Sequence, residues 1–233
     1  MRSSVSLLAL AAVAFIASTA QAQTAIGAGS PSFPIVINKS GSYKLAANLT
    51  VPAGADGIVV ASGVNVTLDL GGYQVSGAAA CTKAGCSGAA PSMGIKVGNS
   101  MLRVFNGTVR GFALNGISVD YQAPGATVIA EDLMVTGNYN GIFVYALTAN
   151  RVVAHNNASY GILGVQGMIA SSMATSNGSI GISMSSGLVR DSHASSNGLG
   201  FEHNSGVSTG NTASGNTNGN KLGSLVQWGN AFN

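Results

Sequence analysis

Between residues 57 and 216, short runs of alternating apolar and polar side chains recur at a nearly constant spacing. Each run opens with a glycine followed by a large apolar residue: Gly57-Ile58, Gly94-Ile95, Gly116-Ile117, Gly141-Ile142, Gly161-Ile162, Gly181-Ile182 and Gly200-Phe201. The steps between them are 37, 22, 25, 20, 20 and 19 residues. Within a run the side chains read in-out-in, as in Ile142-Phe143-Val144 and Ile182-Ser183-Met184, which is the period-two signature of a strand. A second apolar segment follows in each unit, as at Val64 to Leu68, Ala126 to Ile129 and Leu188-Val189. A third carries Val135, Ala154, Ala174, Ala194 and Ala213 in phase, and an asparagine follows it at Asn138, Asn157, Asn177, Asn197 and Asn216. No segment combines helical periodicity with the length and caps a helix needs.

Two markers sharing one period define an internal repeat. Such short strands lie on successive faces, so sequence neighbours do not pair as hairpins; each strand pairs in parallel with its counterpart one coil later. The expected fold is all-β: a single right-handed parallel β-helix of about seven or eight coils, ~20 residues each, stacked at ~4.8 Å into a rod of roughly 35–40 Å. The hand follows from the bias of crossovers between parallel strands, and the hexapeptide rhythm of left-handed solenoids is absent. The pattern divides the chain into residues 23–56 as N-terminal cap and starter strand, 57–220 as solenoid with a cysteine-containing insertion at 78–93, and 221–233 as C-terminal cap. The asparagine column reads as a structural ladder, with Asn tolerating left-handed turn geometry and stacked carboxamides hydrogen-bonding along the rod.

The first 22 residues stand outside this pattern. Arg2, the apolar run from Leu7 to Ala17 and the small-x-small site Ala20-Gln21-Ala22 form a secretory signal, cleaved near Ala22. The apolar run is too short to span a bilayer, so no membrane span is expected in the mature chain. Secretion or a periplasmic location follows. Cys81 and Cys86, five residues apart in one loop of an exported chain, are then expected to form a disulfide staple. Charged residues make up 7% of the sequence, and its few lysines and arginines are scattered. No basic stripe for nucleic acid forms.

The opening coils also carry a resemblance. Gly41-Ser-Tyr-Lys-Leu45, Asn48-Leu-Thr50, Gly57-Ile-Val-Val60 and Val66-Thr-Leu-Asp-Leu-Gly-Gly-Tyr-Gln-Val-Ser-Gly77 resemble the start of secreted right-handed β-helix proteins of the pectate-lyase-like superfamily. That resemblance implies the fold and a bias towards carbohydrates. The Asn-Thr-Asp, Asp-pair and His-Gly motifs of polygalacturonase-like members are missing, as are the acidic calcium cluster of the lyases and GGxGxD repeats.

Counting back from the asparagines aligns Arg151, Ser171 and Asp191 in one column, then Met134, Val153, Met173 and His193, then His155, Thr175 and Ser195. Asp191 and His193 are the candidate acid/base pair, with Arg151 facing a uronate carboxylate, an inventory suited to β-elimination. The structural alternative is a surface ion pair of Arg151 with Asp191 and a solvated His193; Glu131-Asp132 offers Arg151 another partner one coil away. Candidate binding residues are His155, Arg190, Phe143, Tyr145, Tyr160 and Glu202. Asp191 and His193 supply two metal ligands where zinc or calcium needs more, so no metal or cofactor is expected. Sparse charge and missing catalytic motifs favour a monomeric, non-catalytic module that binds polysaccharide or another cell-envelope component along its side. A small polysaccharide lyase is the second reading, and a structural or adhesive self-associating module the third.

Overall fold

The computed structural model describes residues 23–232 apart from 89, 121, 122 and 124; the signal expected at 1–22 lies outside the described residues. The chain winds as a right-handed parallel β-helix, and none of the described residues is helical. Alternation of side chains decides which residues line the interior. On the first sheet Ile58, Ile95, Ile117, Ile142, Ile162, Ile182 and Phe201 stack in register, all buried. Burying each such side chain contributes about 1.5–3 kcal/mol. The second sheet runs through Asn65–Asp69 and the first half of Met101–Arg110, stacking Leu68, Val104, Ala130, Ala149, Ile169 and Val189. The third stacks Val75, Val109, Val135, Ala154, Ala174, Ala194 and Ala213, the last five in the phase that the sequence predicts.

The asparagine ladder forms inside the coil. Asn157, Asn177 and Asn197 are fully buried, and each carboxamide bonds to the next, from Asn138 through to Asn216. The left-handed turn expected at these asparagines belongs instead to the residue before each: Gly137, Asn156, Ser176, Ser196 and Gly215, with φ from 54° to 63°. That residue swings the chain so that the next side chain points into the core, where a carboxamide both donates and accepts. A second left-handed column, Asp132, Arg151, Ser171, Asp191 and Gly210, marks the bend between the second and third sheets. It sets up a shorter ladder in which Ser172, Ser192, Asn211 and Asn230 accept backbone N–H groups of the preceding coil.

The segment expected as a C-terminal cap is itself wound as a coil. Lys221–Trp228 and Ala231–Phe232 stack on the preceding turn, with Phe232 packed 5.5 Å from Phe201. Trp228 stays 64% exposed. The cysteine insertion is an antiparallel hairpin, Ala80–Thr82 against Gly85–Ser87, closed by the Cys81–Cys86 disulfide.

Candidate functional site

The columns expected on the third sheet are real. Met134, Val153, Met173 and His193 are in register, and so are His155, Thr175 and Ser195. Within the acid/base set, Arg151 and Asp191 are each held by another partner. Arg151 grips Asp132 with both arms, at 2.6 and 2.7 Å, and Asp191 pairs with Arg190 at 2.7 Å. Arg151 therefore does not pair with Asp191, which lies two coils away, roughly 9.6 Å along the rod. The hydrogen bond from Arg151 holds the Asp132 carboxyl below its usual range, and Asp132 in turn raises Arg151. Strand alternation puts Arg190 on the opposite side from Asp191, but the left-handed bend at Asp191 lets the two side chains meet. His193 and His155 each hold a threonine hydroxyl one coil on: Thr212 at 2.8 Å and Thr175 at 2.9 Å.

The outer face of the first sheet gathers most of the remaining candidates. Lys96, Ser118, Phe143, Leu163, Ser183, Glu202 and Lys221 occupy one column, a rung apart, in which Ser118 and Ser183 are buried. Phe143 is 38% exposed and meets Tyr160 edge to face at 6.5 Å; Tyr145 is exposed on the same strand, Asn140–His155. Glu202 bridges Ser183 Oγ at 3.3 Å and Lys221 Nζ at 2.9 Å, and this bond raises the Lys221 ammonium above its usual value. Lys96 and Asp120 form an ion pair at 3.0 Å near the other end. The result is an apolar aromatic step between two charged pairs, set along the rod axis. Such a surface offers apolar ring faces beside hydrogen-bonding groups.

Sequence reasoning missed the Lys221 and Lys96 pairings. The 19-residue step from Glu202 to Lys221 equals one coil and is the signal that finds the first. His203 points inward between Met184 and Leu222, buried, with neither ring nitrogen hydrogen-bonded. Among the described residues no three of His, Cys, Asp and Glu come together as metal ligands, and no helix is long and apolar enough to cross a membrane.

Fold and surface together define a right-handed β-helix with a shallow lateral face rather than a deep pocket. No protein-family profile matches the chain, and no curated protein does. Among solved structures it is similar to the enzymatically active domain of bacteriophage CBA120 tailspike protein 2. The TM-score is 0.59 at 14% identity, over 84% of this chain and 37% of the tailspike chain. The chain thus spans little more than a third of that neighbour, and the likeness is one of fold.

Proposed function

We propose that this chain is an exported module that binds polysaccharide, or another cell-envelope component, along the outer face of its first sheet without cleaving it. The observation that carries the reading is the step of exposed Phe143 against half-buried Tyr160, flanked by the Glu202–Lys221 pair along the rod axis. Export is supported by the leader pattern and by the disulfide, which persists in oxidising compartments. The passive reading is supported by the carboxylates. Of the seven in the sequence, six form ion pairs, and Asp56 accepts the Met93 N–H at 2.8 Å. Each carboxylate is thus already engaged by a partner within the fold.

The test is co-sedimentation of the purified mature protein with polyuronates and neutral glycans, following ultraviolet absorbance for unsaturated products. Binding without product, weakened about tenfold by Phe143→Ala, is the expected result, because one aromatic contact contributes roughly 0.5–1.5 kcal/mol beyond its buried area. Product formation abolished by His193→Ala replaces this reading with a lyase using Asp191, His193 and Arg151. Self-association has one observation in its favour: the last coil leaves Val226 and Trp228 exposed. Light scattering that shows concentration-dependent oligomers, lost in Trp228→Ser, selects it.

A further inference from the structure

The disulfide hairpin does more than close a loop. Its tip folds along the turn column beside the third sheet, where the Lys83 N–H donates to Asn156 Oδ1 at 3.2 Å. Lys83 Nζ continues to the Ser196 carbonyl at 2.8 Å. At the other end Cys81 Sγ contacts the Phe112 carbonyl oxygen at 3.6 Å. The hairpin thus leans over several coils and leaves a cleft of about 270 Å³ beneath it. Cys81 and Thr82 form one wall; Arg110, Thr136, Gly137 and Asn156 form the floor.

The chemistry of this cleft is one-sided. Arg103, Arg151 and Arg190 each hold a carboxylate, whereas Arg110 makes no ion pair among the described residues, and no Asp or Glu lines the cleft. Two of the other polar side chains already accept a hydrogen bond from the hairpin. Thr82 Oγ1 accepts the Ala84 N–H at 3.2 Å, which leaves its O–H to donate. Asn156 Oδ1 accepts the Lys83 N–H, which leaves its Nδ2 to donate. The cleft is therefore lined by a guanidinium, two threonine hydroxyls and a carboxamide, all with donors to offer, and by no carboxylate.

We propose that this cleft binds an oxyanion, a carboxylate or sulfate, carried by the glycan that lies on the solenoid. The guanidinium donates to two of its oxygens side by side, a geometry that an ammonium does not reproduce. The identity of the carrier rests on the glycan-binding reading above; the anion site does not. The disulfide keeps the Thr82 wall in place.

Isothermal titration and amide-resolved NMR with inorganic sulfate, a galacturonate trisaccharide, a sulfated trisaccharide and a neutral trisaccharide test this on the mature protein. The expected result is binding of at least one charged trisaccharide, with resonances of Arg110 Nε and Asn156 Nδ2 shifting. Arg110→Gln should weaken it at least tenfold and Arg110→Lys less, with neutral-sugar binding unchanged. Arg110 is exposed and unpaired among the described residues, so an unaltered melting curve is the check that both variants fold. Comparison of the two charged sugars identifies the anion. Equal binding of charged sugars by Arg110→Gln, or no shift at Arg110 with any anion, overturns the proposal. Sulfate shifts at Arg110 with no sugar bound anywhere retain the anion site and overturn the glycan reading instead.

Discussion

Replacing Asn177 with alanine perturbs the centre of the buried ladder. Its carboxamide is inaccessible to solvent and makes four hydrogen bonds. Oδ1 accepts the Asn157 backbone N–H at 3.1 Å and Asn157 Nδ2 at 2.9 Å. Nδ2 donates to the Ala154 carbonyl at 3.1 Å and to Asn197 Oδ1 at 2.9 Å. In the variant, Asn157 Nδ2 keeps the Val135 carbonyl, and Asn197 Oδ1 keeps the backbone N–H at position 177. The Asn157 N–H loses its partner, whereas the Ala154 carbonyl stays in the parallel ladder with the next coil. At about 1–3 kcal/mol for a buried group left unsatisfied, the expected loss is about 2 kcal/mol. For a chain of this size that lowers the melting temperature by roughly 4–8 °C. Asn216 occupies the same column but is only partly buried in the penultimate coil, so water reaches the groups it leaves. Asn216→Ala should cost about half as much. Far-ultraviolet circular dichroism during urea and thermal unfolding measures both. A loss below about 1 kcal/mol in Asn177→Ala, or equal losses in the two variants, refutes the claim that the ladder holds the coils in register.

Burial lowers the His203 imidazole below its usual value near 6.5, partly offset by the backbone of Ser205 and Gly187, which lies close without completing a hydrogen bond. The unfolded chain then binds more protons below that value. Stability is complete above pH ~6.5 and falls on acidification towards the folded value, a slope that His203→Met should reduce in melting curves from pH ~7.5 to ~4.5. Gly167, Gly187 and Gly206 stack with φ of 126°, 130° and 116°, and a Cβ at Gly187 collides with the Gly167 carbonyl oxygen. Gly187→Ala should therefore cost at least about 2–3 kcal/mol in chemical unfolding, and a neutral result shows that the coil spreads freely. The Arg151–Asp132 pair is half exposed on both sides, so Arg151→Ala should leave the unfolding midpoint essentially unchanged in the same assay.

Much of this architecture was legible in the sequence because a parallel solenoid converts distance along the rod into distance along the chain. In-register stacking places each residue beside its counterpart one coil later, so the pairing of Val135 with Ala154, or of Met173 with His193, follows from counting. The ladder asparagines were visible for the same reason: one residue type suits a buried position that must both donate and accept. The second ladder was hidden because serine and asparagine share it.

Fold class, period, inward columns and the staple of Cys81 with Cys86 could all be read along the chain. Which of the offered partners each charge takes could not. Counting offers Arg151 both Asp191 and Glu131-Asp132, and Arg190 meets Asp191 across a left-handed bend that alternation alone does not contain. The place of the hairpin is likewise a property of the folded molecule. Residues 78–93 interrupt the repeat and so carry no period, and only the folded chain brings Lys83 to Ser196 and sets Thr82 beside Arg110 in one cleft. Contacts that repeat can be read from spacing; contacts made once are set by the shape of the surface they land on.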